Sequence, residues 1–281
     1  MAQQKLGKWR NLAALADNNK KGLGDYTMVL HLKRLLVLTL LCLAPLAQAD
    51  IQRLQTLHEL RSEGFTAATY MLIDNNLFER VRDPSHRTTY NRSLANMTRL
   101  INQLGNPDDL AVLSNTFVLM IQELEALGDD EAHFSLSTVN RIMQAHGDFD
   151  RVAARHYAEA IPAANAPERL LTLHQQSLET SQILLLYQNN MFSSVGVYFL
   201  ENQEGLFDML DQSIVARALQ LKSLYPEQSD ALLRLEKQYN FIQPRLQDPL
   251  NNWVPSIAAF YLQRNVKTLN DLAREQVLGE A

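Results

Sequence analysis

Two histidines occupy matching places in two similar stretches of the sequence. His58 ends a segment with the sequence LQTLH, and His174 ends a segment with the sequence LLTLH. An imidazole can bind a metal ion, exchange a proton near neutral pH or hydrogen-bond to a neighbouring helix. Two imidazoles are too few for a closed tetrahedral metal site, which needs about four ligands. The pattern favours half-buried histidines bonded to neighbouring helices, and it makes His58 and His174 candidates for a shared ligand-binding site.

A further histidine lies one helical turn before a carboxylate. His156 and Glu159 are three residues apart, so a helix would place both side chains on one face as a usable pair of metal ligands. The segment resembles the His-x-x-Glu element of the imelysin-like periplasmic proteins, with Ala154 where that family has a glycine. The pair supports an alternative function as a periplasmic metal-handling protein with histidine and carboxylate ligands. The pattern by itself favours a solvated helix face and no cofactor.

Two pairs of adjacent asparagines follow the two matching histidines. Asn75 and Asn76 form the first pair, and Asn189 and Asn190 form the second, each inside an otherwise apolar stretch. A buried amide needs partners for both its donors and its acceptor, so it either sets the register between helices or contacts a polar ligand. Setting the register between helices, or lying exposed at the surface, is the more common role of such an asparagine. These four residues are nevertheless where the sequence most favours a small-molecule pocket.

Patterns typical of an enzyme are missing from the sequence. No serine stands in a Gly-x-Ser-x-Gly turn, and the acidic run at 129–131 lacks the alternation of a calcium loop. We expect no catalytic residue, and the sequence favours a protein without enzymatic activity.

Helical periodicity runs through the whole sequence after residue 49. Apolar residues recur every three or four positions, and no stretch alternates long enough to be a strand. This predicts an all-α, antiparallel bundle of long helices, with Gly105 and Gly128 ending helices in the left-handed conformation. The most apolar stretch, 183–200, is predicted to be a core helix because three amides interrupt it. Helices are predicted over 50–81, 86–104, 108–127, 135–160, 167–224, 228–247 and 254–276.

The repeated histidine and asparagine motifs divide this region into two halves. The halves 50–160 and 165–276 would be copies of one helical hairpin unit, related by a pseudo-twofold axis. On that interpretation His58 and His174 are equivalent residues that approach each other in the bundle.

Residues 28–49 have the three parts of a secretory signal peptide. Lys33 and Arg34 precede an apolar run of 12 residues, 35–46, which ends before the tripeptide 47–49 with the sequence AQA. A transmembrane helix needs roughly 20 apolar residues, so cleavage before Asp50 is predicted. The protein would then be periplasmic or secreted. Residues 1–27 are predicted to be a misassigned start, with Met28 as the true one, or an extended basic region.

The charge of the predicted mature chain limits its partners. From residue 50 onward there are 19 Lys and Arg against 29 Asp and Glu, a formal net charge of −10. Such a surface repels phosphate backbones, so we expect no nucleic-acid partner. The only cysteine, Cys42, lies in the predicted signal peptide, so neither disulfides nor thiolate metal sites are expected after cleavage.

The C-terminal third resembles a family of sensor modules. The segment 206–210, LFDML, the segment 232–242, LLRLEKQYNFI, and the later Val254 and Tyr261 resemble the helical periplasmic modules of pilus-chemotaxis transducers, nitrate-type sensors and their uncharacterised secreted relatives. Their Arg-Met-Leu-Ser-Gln-type element is replaced by QQSLET at 175–180, so no site residue is transferred. The resemblance implies a ligand-responsive or protein-binding module, and without a membrane span such a module needs an envelope or membrane protein partner.

Overall fold

The computed structural model describes residues 48–76, 83–127, 135–190, 192, 205–249 and 251–279. Within these ranges the chain forms eight α helices, one short 3-10 helix at Pro226–Gln228 and no strand. The predicted all-α class is confirmed. The helices are α1 at 48–74, α2 at Pro84–Gln103, α3 at Asp108–Glu125, α4 at Ser135–Ala164, α5 at Glu168–Asn189, α6 at Leu206–Leu224, α7 at Ser229–Gln247 and α8 at Pro255–Gly279.

Residues 28–47 of the predicted signal peptide lie outside the described residues, as do residues 1–27 and the predicted helix end at Gly128, whereas residues 48 and 49 belong to α1. Among the helices that the structure describes, none combines the length and the apolar character needed to cross a membrane.

The helices pack around α1 and α5. Helix α5 contacts α6 and α8, α3 packs on α4, and α7 packs on α8. A helix that is buried on most of its circumference belongs to the interior of a fold. Helix α5 is such a helix, because polar residues such as Ser177 and Gln188 are buried along with its leucines. A buried ion pair between Arg61 and Asp150, with Nε–Oδ1 at 2.7 Å, joins α1 to α4.

Local signals set several helix ends as predicted. Gly105 has a φ of +85° and follows the end of α2, which confirms its left-handed conformation. Asn106 also adopts positive φ, at 55°. Helix α3 then begins at Asp108, and the Asp109 carboxylate accepts a hydrogen bond from the Leu110 amide. An acidic first turn stabilises the positive end of the helix dipole.

Two predicted helix ranges are wrong. Helix α1 ends at residue 74 rather than 81, where Asn75 Nδ2 donates to the carbonyl of Met71 at 2.9 Å. The helix predicted over 167–224 is two helices, because α5 ends at Asn189 and the left-handed Gly205 precedes α6. Helix α4 continues past Pro162 to Ala164 and forgoes the hydrogen bond that a proline nitrogen cannot donate. The predicted core helix at 183–200 is described only as far as Asn190 and at residue 192.

Candidate functional site

His58 and His174 lie side by side in the core of the bundle. Each is only 2% exposed, and their rings stack nearly parallel, with centroids 4.0 Å apart and an angle of 5° between the ring planes. His58 comes from α1 and His174 from α5, so the stack joins the two central helices. The structure therefore brings together the two histidines that the repeated motif singled out.

The hydrogen bonds of His174 define its tautomer. Its Nε2 lies 2.7 Å from Oε1 of Gln55, and its Nδ1 lies 2.9 Å from the Tyr157 hydroxyl. The Gln55 amide nitrogen donates to Glu59, so its oxygen is the acceptor that faces the histidine. His174 therefore donates from Nε2 and accepts the Tyr157 hydroxyl at Nδ1. Both of its nitrogens are used, and the ring is neutral.

His58 is bonded in a different way, through an asparagine of α8. Its Nε2 donates to Oδ1 of Asn270 at 2.8 Å, and the same oxygen accepts the Ser177 hydroxyl at 2.6 Å. The Asn270 amide nitrogen donates to the Ser62 hydroxyl at 2.8 Å. Asn270 thus links α8 to both α1 and α5, directly beside the histidine stack.

Burial keeps the groups of this network in their neutral forms. It lowers the pKa of His58 to about 4, although the hydrogen bond to Asn270 acts in the opposite direction. Burial, and then the charge that His58 would carry, holds the pKa of His174 well below its ordinary value. Burial also raises the pKa of Tyr157 to about 12. None of these groups exchanges a proton readily near pH 7, so the network favours binding and positioning over acid–base chemistry.

A polar groove opens above Asn270 and Ser62. It lies between α1, α2 and α8 and has a volume of about 500 Å³. Ser62 and Asn270 line it, so two members of the histidine network are also groove residues. Four basic side chains line this groove, hereafter the basic groove: Arg92, Arg264, Lys267 and Arg274.

The basic groove has an excess of positive charge in a chain with an excess of negative charge. Two carboxylates, Glu63 and Asp271, face its four basic side chains. Lys267 and Arg274 both pair with Asp271, and Arg274 also pairs with Glu59 of α1. Among the residues in the described ranges, no carboxylate forms a salt bridge with Arg92 or Arg264. Burial raises the pKa of Glu63, although hydrogen bonds from Ser93 and Asn96 and the nearby charge of Arg92 act in the opposite direction.

The asparagine pairs lie at helix ends and not, as the apolar pattern suggested, inside helices. Both pairs stand at the C-terminal ends of central helices, α1 for Asn75 and Asn76, and α5 for Asn189 and Asn190. Asn76 and Asn189 are buried, whereas Asn190 is exposed. A ligand role for these residues stays a prediction.

His156, which was proposed as a metal ligand, contacts a carboxylate other than that of Glu159. His156 Nε2 lies 2.9 Å from the Asp109 carboxylate, whereas Glu159 is 65% exposed and lies near Arg155. Within the parts of the chain that the structure describes, no three histidine, cysteine or acidic residues could hold one metal ion. Stacked imidazoles place their nitrogen lone pairs in parallel planes, so His58 and His174 do not converge on one ion either. His133 lies outside the described residues.

No protein-family model, curated protein or solved structure matches this chain.

The groove residues of α2 and α8 were missed by the sequence reasoning. One signal for them was present: Arg264, Lys267, Asp271 and Arg274 are spaced by three, four and three residues, which places them on one face of a helix. Arg92 could not have been added, because its place opposite α8 depends on how the helices pack.

Proposed function

We propose that this chain is a non-enzymatic, ligand-binding helical module that takes a small anionic molecule in its basic groove. The observation that carries the proposal is the cluster of four basic side chains in one groove of an acidic protein, with Arg92 and Arg264 outside every salt bridge of the described residues. A planar guanidinium matches the geometry of carboxylate and phosphate groups and can bind them in a bidentate manner.

The size of the ligand follows from the balance between local and overall charge. A long polyanion such as a nucleic acid would meet the net negative charge outside the groove, whereas a small anion meets four basic groups and only the two carboxylates of Glu63 and Asp271 inside it. The groove volume of about 500 Å³ lies within the range of small-molecule sites. A carboxylate or phosphate compound of that size is the ligand class that these residues favour.

The floor of the groove supports a ligand-responsive module. Asn270 lines the groove and bonds to His58, and it also accepts a hydrogen bond from Ser177. A ligand that bonds to Asn270 would compete with contacts that hold α8 against α1 and α5. The relative positions of the central helices would then depend on whether the groove is occupied.

The proposal includes export and a partner protein. The signal-peptide pattern at 28–49 supports a periplasmic or secreted location, and the resemblance to sensor modules supports an envelope or membrane protein partner. Exposed aromatic rings beside the groove support a protein contact: Phe260 is 53% exposed, and its ring lies 5.2 Å from that of Tyr261. Intact-mass spectrometry of the chain expressed in an exporting bacterial host should show a species that begins at Asp50.

Titration calorimetry of the purified chain with succinate and, separately, with inorganic phosphate tests the groove. We expect at least one of these anions to bind, with an affinity that falls as salt is added, because salt screens the exposed charges. Arg264→Gln should weaken binding by about 10-fold, as expected for one lost charge-assisted hydrogen bond. Arg234→Gln removes an exposed arginine of α7 and is the matched control. Equal binding by the Arg264→Gln variant and the wild type, or no binding of either anion, would refute the proposal.

A further inference from the structure

A second cavity lies inside the C-terminal half, between α5, α6, α7 and α8. Its volume is about 90 Å³. Most of its lining is aliphatic, with Ile214, Leu221, Leu232, Leu235 and Leu269 among the residues around it. It uses a different face of α8 from the basic groove, because Asn265 and Leu269 line the cavity whereas Lys267 and Asn270 line the groove.

Two buried amides interrupt this aliphatic lining. Gln176 of α5 is 7% exposed and Asn265 of α8 is 4% exposed. Gln176 donates from Nε2 to the carbonyl of Ile214 at 3.2 Å, and Asn265 donates from Nδ2 to the carbonyl of Leu235 at 3.0 Å. These two bonds define the orientation of each amide, because a flipped amide would place its oxygen against a carbonyl oxygen.

Each amide therefore keeps one acceptor oxygen for another donor. Neither Oε1 of Gln176 nor Oδ1 of Asn265 has a hydrogen-bond partner among the residues that the structure describes. A buried acceptor without a donor destabilises the fold, because it has lost its hydrogen bonds to water. Two such oxygens in the lining of one cavity suit a ligand that supplies donors.

The carboxylate and hydroxyl groups of the lining are paired within the protein. Both carboxylate oxygens of Glu236 accept hydrogen bonds from Lys222 Nζ, at 3.0 and 2.9 Å. The Tyr239 hydroxyl donates to Asp211 at 2.6 Å. The cavity thus offers two neutral acceptors and no uncompensated charge from these residues. A neutral molecule suits it better than an ion, because burying an unpaired charge is far more costly than burying a neutral donor.

We propose that this cavity is a binding site for a small, neutral, largely apolar molecule that carries an N–H or O–H donor. The donor bonds to the free amide oxygen of Asn265 or Gln176, and the apolar part packs against the surrounding leucines. A 150 Å³ apolar cavity holds one benzene ring. The smaller volume here therefore points to a ligand, or an inserted end of one, that is smaller than a benzene ring.

Pyrrole and furan test this proposal in the purified full chain. The two rings are nearly the same size, but only pyrrole has an N–H donor. We expect pyrrole to bind at least about five-fold more tightly than furan, as one net hydrogen bond allows. Binding should shift the methyl NMR signals of Ile214 and Leu269, which line the cavity.

Substitutions of the amide side chains test whether their oxygens cause the preference for pyrrole over furan. Asn265→Leu has nearly the same side-chain size as the wild type. Asn265→Leu or Gln176→Leu, whichever removes the oxygen that accepts the ligand's hydrogen bond, should reduce the preference for pyrrole to about one-fold while furan still binds. Gln175→Leu changes an exposed amide of the same α5 helix and is the control. If Asn265→Leu does not fold, the affinities of the wild-type chain for pyrrole and furan still test the proposal. Equal affinities for the two rings, shifts only at methyl groups away from the cavity, or no binding of either ring would overturn the proposal. All three outcomes are independent of anion binding in the groove.

Discussion

The imidazoles of His58 and His174 show how residues that could carry charge are used as neutral polar contacts. Their parallel stack would be repulsive if both rings were protonated, since the centroids are only 4.0 Å apart. Each ring has a hydrogen-bond acceptor opposite one N–H, from Asn270 and Gln55 respectively. Satisfied buried networks of this kind define one arrangement of the surrounding helices, because every alternative leaves polar atoms unpaired.

The neutral state of His58 predicts a loss of stability in mild acid. Its pKa is about 4 in the folded protein, and that of an unfolded histidine is about 6.5. Between these values the unfolded state binds more protons, so the contribution of this residue is complete above about pH 6.5 and decreases as the pH falls towards 4. We expect it to account for roughly 2 kcal/mol of the difference in unfolding free energy between pH 7 and pH 5. Urea titrations of the wild type and His58→Gln at both pH values measure this difference in unfolding free energy.

His58→Gln should lose less stability than the wild type on acidification, because glutamine does not titrate. His174, Arg61 and Tyr157 are the other titratable or charged groups beside the pair and are present in both proteins. An equal loss in the two proteins would show that the imidazole of His58 is not buried in its neutral form.

Tyr157→Phe tests the bond to the second histidine. The change removes the hydroxyl that donates to Nδ1 of His174 and leaves a buried acceptor without a donor. The free energy of unfolding should fall by about 1 to 3 kcal/mol, as measured by chemical denaturation. Tyr261→Phe removes a hydroxyl of a half-buried tyrosine on α8 and should change it by less than about 0.5 kcal/mol. Similar effects of the two substitutions would contradict the hydrogen bond between Tyr157 and His174.

At the scale of the helices, the positions of the helix ends define the fold as much as the apolar faces do. The central helices α1 and α5 both end at an asparagine pair, and both carry one histidine of the stack. The predicted duplication requires these parallels, and superposition of the halves 50–160 and 165–276 is its test. The apolar pattern alone extends through both asparagine pairs, because amide side chains interrupt a hydrophobic stripe without revealing that the backbone turns there.

Gly105→Ala tests the contribution of one helix end. The φ of Gly105 is +85°, and a methyl group added there would meet no atom within 4 Å, so strain in the backbone is the only expected effect. The substitution should lower the free energy of unfolding by roughly 1 kcal/mol. Gly279→Ala is the control, since its added methyl group also meets nothing and its φ is not positive. Thermal unfolding monitored by circular dichroism compares the two, and equal melting temperatures would exclude a left-handed Gly105.

For the molecule from residue 50 onward, one apolar core connects the two halves. The largest cluster of buried apolar residues contains Leu57 and Phe149 of the first half together with Leu173 and Leu269 of the second. The histidine stack and the Asn270 network cross the same boundary. Even if the halves are copies of one unit, neither can bury its apolar face alone.

Separation of the halves should therefore unfold both of them. Fragments 50–164 and 168–281, expressed alone, are expected to lack cooperative thermal unfolding and to bind the dye ANS, because the surfaces that meet in the intact protein become exposed. The intact chain should show one cooperative transition by circular dichroism and by tyrosine fluorescence. A fragment that unfolds cooperatively on its own would show that its half is a separate domain.

The sequence by itself determined the features that depend on short-range interactions. The period of three and four between apolar residues predicted the all-α class, and Gly105 and Asp108 predicted an end and a beginning of helices, because backbone geometry and capping act within a few residues. The repeated motif also singled out His58 and His174. Only the tertiary structure decided that their rings stack, which nitrogen donates, and that Arg92 of α2 faces Arg264 of α8 across a groove. These relations join helices far apart in the chain, and their distances depend on how all the helices pack together.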